Sequence, residues 1–87
     1  MEDVLEFISD IRNIGYTGFI FLGGHAPSLE YEMILERCNG LDCVVIGEGE
    51  ETIYELVNAV RTRQEWKNID GIAYIEDEKV KTTRMRP

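Results

Sequence analysis

The sequence predicts an α/β fold: a partial parallel sheet with flanking helices and a C-terminal β-hairpin. Three observations predict it. Two apolar runs, GFIFLGG and CVVIG, are continuous rather than alternating, as in strands buried on both faces. Each is followed by glycines and then by a segment of helical period, the alternation typical of α/β proteins. The last stretch, GIAYIEDEKVKTT, alternates on either side of an acidic turn, as an antiparallel hairpin does.

The elements follow in order. Val4, Phe7, Ile8, Ile11 and Ile14 recur at spacings of three and four, which predicts an amphipathic helix over 3–14. Asp3 is placed to cap its start and Gly15 to end it. Gly18 to Leu22 reads as the first strand, closed by Gly23 and Gly24. Pro27 and Ser28 open a second helix, Ser28 as its cap, with Glu30 and Glu32 set against the dipole. Its stripe runs through Leu29, Ile34, Leu35 and Cys38, and Asn39-Gly40 ends it. Cys43 to Ile46 is a second buried strand. A third helix covers about 52–63, with Thr52 and Glu55 in a capping-box pattern and Ile53, Leu56, Val57 and Val60 facing inward. The hairpin turns over Glu76-Asp77-Glu78.

Eighty-seven residues suit one small domain, and 44% apolar with 30% charged is a globular composition. A net charge of −8 disfavours nucleic-acid backbones and anionic membranes as partners. No apolar run approaches a membrane span, and the acidic N-terminus has no secretory pattern, which predicts a cytoplasmic setting. Cys38 and Cys43 read as buried reduced thiols rather than a disulfide or zinc pair.

Two parallel strands are few for a doubly wound sheet, and a chain that starts with a helix leaves its first strand with an open apolar edge. Three remedies exist: the hairpin covers that edge, another chain completes it, or the chain is part of a larger domain. The last is preferred, with self-association of the isolated chain as its consequence.

Two segments are candidates for chemistry. In FLGGHAPS, glycines at the carboxyl end of a buried strand admit a ligand close to the backbone, or simply make a tight turn. His25, the sole histidine, is an axial ligand, a hydrogen-bond donor or a polar loop residue. In GEGEE, a helix N-terminus would attract an anion, but Glu50 and Glu51 already fill that role. The turn therefore suits a cation or a neutral ligand rich in amides or hydroxyls. Glu51 and Glu55 are accounted for by capping and dipole compensation, whereas stability alone does not call for the alternating Gly47-Glu48-Gly49-Glu50. No nucleophile-and-base pair or metal-ligand set is evident, and Trp66 and Tyr74 read as packing residues.

These motifs resemble the cobalamin (vitamin B12)-binding domain that precedes the barrel of B12-dependent radical S-adenosylmethionine enzymes. Gly23, Gly24 and Ser28 match its Gly-Gly-x-x-x-(Ser/Thr) segment, Gly47 to Glu50 its Gly-Glu-Gly-Glu turn, and Gly71, Ile72 and Tyr74 its Gly-Ile-x-Tyr hairpin. The resemblance implies a Rossmann-like (flavodoxin-like), five-stranded fold, of which this chain supplies the last two strands and the hairpin. It implies residues 1–70 as the C-terminal part of the cofactor domain and 71–87 as a linker toward a catalytic barrel. Gly23, Gly24, His25 and Ser28 would line one wall of the corrinoid site, and Gly47, Glu48, Gly49 and Glu50 the other. The amides of a corrinoid suit acceptor carboxylates. The resemblance further implies a 4Fe–4S cluster and S-adenosylmethionine on the barrel; this chain itself has no Cys-x-x-x-Cys-x-x-Cys. The expected function is thus a cobalamin-binding module of an enzyme such as a methyltransferase, without catalytic residues of its own. The alternative is a non-catalytic interaction domain that forms a homodimer through its open sheet edge. A flavodoxin-like or response-regulator-like function would need phosphate-friendly loops or an acidic pocket at a first strand, which are not found here.

Overall fold

The computed structural model describes residues 2–24, 30–47 and 49–86. Along them the elements run α1 (Glu2–Asn13), β1 (Phe21–Leu22), α2 (Tyr31–Arg37), β2 (Cys43–Val45), α3 (Glu50–Arg61), β3 (Ile72–Glu76) and β4 (Lys79–Thr82). The order matches the sequence reading. The strands form one mixed sheet, β1-β2-β3-β4. β1 lies parallel to β2, Phe21 beside Cys43 and Leu22 beside Val44. β3 adds antiparallel on the other side of β2, pairing Val44 with Ala73 and Val45 with Ile72. The hairpin therefore does not cover β1, which stays at the edge of the sheet.

The alternation of β2 divides two cores. Val44 joins Leu5, Ile8, Ile34, Leu35, Cys38, Leu41 and Ala73 on the face covered by α1 and α2. Cys43 and Val45 join Leu56 and Ile72 beneath α3. β2 is thus buried on both faces, as its continuous apolar run required. Burying a side chain such as Ile34, Leu56 or Ile72 contributes roughly 1.5–3 kcal/mol. An aromatic row extends the second core: Phe19 meets Trp66 edge-on at 5.0 Å, and Trp66 meets Tyr74 at 5.6 Å. Both are packing residues, as expected. Cys38 and Cys43 are free and buried.

Several local expectations change. α1 begins at Glu2, so Asp3 lies within its first turn rather than ahead of it. At its end Gly15 N–H donates to Arg12 O and Tyr16 N–H to Ile11 O, the paired bonds of a glycine-terminated helix. Among the described side chains of α1, Leu5 and Ile8 are the buried ones; Phe7 is 63% exposed, and Ile14, just past the helix, 86%. β1 is shorter than 18–22, because Asp42 replaces regular pairing before Phe21. Its carboxylate accepts the Ile20 N–H at 2.8 Å while its own N–H donates to Ile20 O at 2.8 Å. α2 starts at Tyr31 with Glu30 at the cap position and no side-chain cap bond; Ser28, expected as the cap, lies outside the described residues.

α3 departs most. It starts at Glu50, two residues early, with Gly49 as its cap, so Thr52 is no capping residue. Thr52 instead faces inward, fully buried with Leu56 and Ala59, while Ile53, Val57 and Val60 lie exposed. The helix is rolled about its axis because the Thr52 hydroxyl donates to Asp70 O at 3.0 Å and so draws that face in. Among the described residues, no buried side-chain polar atom lacks a partner, and no helix is long and apolar enough to cross a membrane.

Candidate functional site

The parallel register brings the two glycine turns side by side. Gly23 and Gly24 leave the carboxyl end of β1, and Gly47 and Gly49 leave that of β2. Open α/β sheets bind ligands at that end. A Cβ on Gly23 would lie 3.6 Å from Val45 Cβ, which fixes how closely the first turn approaches the second strand. Gly24 and Gly47 have φ of +111° and +78°, and among the described residues a Cβ on either would meet no atom within 4 Å. Among the described residues the Cβ side of both is therefore open, in a backbone conformation that favours glycine.

Gly49 is a glycine for another reason. A Cβ there would strike Val45 Cγ1. The alternating glycines thus have a local explanation after all, one backbone angle and one close approach, contrary to the expectation that stability has no use for them. Glu50 opens α3 and is exposed. His25, Ser28 and Glu48 lie outside the described residues, so of the eight predicted site residues the structure brings together Gly23, Gly24, Gly47, Gly49 and Glu50.

Glu51 and Glu55 do more than compensate the dipole. Arg86 Nη1 donates to Glu51 at 2.8 Å, its Nη2 donates to Glu55, and its Nε donates to Thr52 Oγ1 at 2.7 Å. Sequence reasoning missed Arg86, and no local signal could have found it: its partners lie 31–35 positions away. At the opposite end of the sheet, Arg12 donates to Gly40 O, Tyr16 O and Asp42. That junction lines an open depression of about 670 Å³ with Phe19 and Asn39, at the amino ends of the strands. It is a staple rather than part of the glycine site. Among the described residues, no three His, Cys, Asp or Glu side chains are placed to hold a metal ion.

A family model, the B12 binding domain, matches residues 1–57. The chain belongs to the B12-binding domain family. This B12-binding domain is 36% identical over its whole length to an uncharacterized methyltransferase of Pyrococcus horikoshii, of which it spans 19%. It is 34% identical over 68 residues to the anaerobic magnesium-protoporphyrin IX monomethyl ester cyclase of Synechocystis, covering 78% of the chain and 14% of the cyclase. Among solved structures it superposes, with a TM-score of 0.76 and 26% identity, on the cobalamin-dependent S-adenosylmethionine radical enzyme OxsB with aqua-cobalamin and S-adenosylmethionine bound. That match covers 98% of this chain and 12% of OxsB. The B12-binding domain thus spans less than a fifth of each of these relatives, and its Rossmann-like fold and its relation to radical S-adenosylmethionine enzymes and methyltransferases stand as the resemblance implied. Cobalamin is the cofactor of the family.

The glycine site fits such a group. No described atom lies within 4 Å of where a Cβ on Gly24 or Gly47 would stand, and the exposed Glu50 carboxylate is an acceptor that would suit corrinoid amide N–H groups.

Proposed function

We propose that this domain is the cobalamin-binding module of a B12-dependent radical S-adenosylmethionine enzyme, such as a methyltransferase. The observation that carries the reading is the pair of glycine turns at the carboxyl ends of adjacent parallel strands, with no described atom within 4 Å of a Cβ at Gly24 or Gly47. Gly23, Gly24, His25 and Ser28 would line one wall of the corrinoid site, and Gly47, Glu48, Gly49 and Glu50 the other. Glu50 accepts corrinoid amide N–H groups, and the turn backbones set how closely the ring approaches. When bound, cobalamin supplies a cobalt that carries methyl groups or assists radical chemistry. Residues 1–70 form the cofactor unit, and 71–87 lead toward a barrel carrying the 4Fe–4S cluster and S-adenosylmethionine, in a cytoplasmic enzyme. In a visible-absorbance titration with hydroxocobalamin, a spectral change and retention of corrinoid through gel filtration are expected. An unchanged spectrum with no corrinoid retained defeats the reading.

A second reading, a homodimer through the open sheet edge, is favoured by one observation. Beside β1 an apolar groove of about 270 Å³ runs between Phe19 and Phe21 and the exposed Val57 and Val60 of α3.

A further inference from the structure

We propose that Arg86 is a positioning residue for the cofactor-facing turn, which it holds through the first turn of α3; this deepens the cobalamin reading and rests on it. The chain before Gly47 and the helix after Gly49 are both fastened to the same C-terminal segment. Before Gly47, Ile46 N–H donates to Gly71 O at 2.8 Å, and Gly71 N–H donates to Arg84 O at 2.8 Å. Two residues on, the Arg86 guanidinium reaches the first two turns of α3, just beyond Gly49. There it donates to Thr52 Oγ1, Glu51 and Glu55. The Thr52 hydroxyl in turn donates a hydrogen bond to Asp70 O, beside Gly71, which closes the ring.

The ring has no slack. A Cβ on Gly71 would lie 2.8 Å from Thr52 Oγ1, and Arg86 Cγ stands 3.8 Å from the same point. The Arg86 side chain is only 21% exposed although Glu51 is 82% exposed, so the guanidinium is held by the junction rather than by a surface pair. It separates two glutamates four residues apart that otherwise repel on one helix face. Removing it leaves the buried Thr52 hydroxyl without its donor and frees the first turn of α3 to shift, and Gly49 with it. Coupling of this kind is reciprocal: whatever binds the turn tightens the tail, and whatever loosens the tail weakens binding.

The test uses the full chain, hydroxocobalamin as the probe and three variants: Arg86→Ala, Arg86→Lys and Glu51→Gln. Arg86→Ala is expected to weaken hydroxocobalamin binding by about tenfold at a temperature where both proteins are folded by circular dichroism. Arg86→Lys, which keeps the charge but not the fork, recovers part of the loss. Hydroxocobalamin slows amide exchange at Gly71 in the wild type, and this protection is lost in Arg86→Ala. Equal affinity and equal protection in the two folded proteins overturn the proposal. If Arg86→Ala does not fold, Glu51→Gln decides: a loss of affinity of about threefold supports the proposal and an unchanged affinity overturns it. If the wild type binds no hydroxocobalamin, the cobalamin reading fails on its own, and the Gly47 and Gly49 amide resonances judge the positioning. Movement of both in Arg86→Ala supports it, and unmoved resonances overturn it.

Discussion

Gly71 has no room for a methyl group. Its φ is +85° and a Cβ would press on Thr52 Oγ1 at 2.8 Å, where the hydroxyl is already committed to Asp70 O and Arg86. Gly71→Ala therefore combines backbone strain with displacement of a buried hydrogen-bonded group, and is expected to lower stability by ~2–4 kcal/mol in urea unfolding. Cys43 gives a second test. Burial, and then the neighbouring Asp42 charge, push its thiol up to about 12 from an ordinary 9.0. The native thiol stays protonated and should resist a thiol-specific reagent until the chain unfolds, when Cys38 and Cys43 react together. The linkage has a definite sign. Because the folded value is raised, Cys43 favours the native state fully below 9.0, and that contribution falls away as pH climbs toward about 12. A native protein that reacts at once at neutral pH contradicts this account.

At the scale of elements, the hairpin's turn and the end of α3 both place non-glycine residues in an unfavourable conformation. Asp77 and Glu78 have φ of 55° and 64° between Glu76 and its partner Lys79, a two-residue turn of the type that favours Asn-Gly. Arg63 has φ of 58° where α3 terminates. Asp77→Asn with Glu78→Gly, and separately Arg63→Gly, should each raise stability by ~0.5–1.5 kcal/mol, read as a higher urea midpoint. Within the hairpin, Glu76 accepts from Lys67 at 3.0 Å and from Lys81 at 3.1 Å, bonds that hold its carboxyl below the ordinary range. Its contribution is therefore present above that range and lost as pH falls through the lowered value. Melting temperatures of wild type and Glu76→Gln should differ at neutral pH and converge in acid. The sequence made the elements legible because period and glycine placement are local properties. Which face of a helix is buried is not local. Ile53, Val57 and Val60 look like a core stripe, yet Thr52 takes the inner position through Asp70 and Arg86, contacts made 18 and 34 residues away. The glycine turns were legible in the same way, as motifs, while the ring that fastens the second of them is a tertiary feature with no signature in that stretch.

For the whole molecule, the decisive feature is an incomplete boundary. β1 ends the sheet, and apolar side chains stand uncovered on both sides of it: Phe7 on α1 and Ile14 just after it, Ile53, Val57 and Val60 on α3. A sheet edge with an apolar groove beside it is a surface that other chains pair with. Its net charge of −8 opposes association, so salt, which screens that repulsion, should strengthen it. The isolated chain is thus expected to sediment as a monomer–dimer mixture that shifts toward dimer with concentration and with added salt. Val57 is 52% exposed and lines the groove with Phe19 and Phe21, so Val57→Glu places a charge in the contact without disturbing the core. The variant should remain folded and sediment as a monomer across the same concentrations. A wild-type chain that stays monomeric at every concentration and salt would remove the edge-pairing reading, and would leave the glycine turns and their cofactor untouched. Dimerisation that persists in Val57→Glu would instead move the contact away from this groove, to the α1 side of the sheet where Phe7 and Ile14 are exposed.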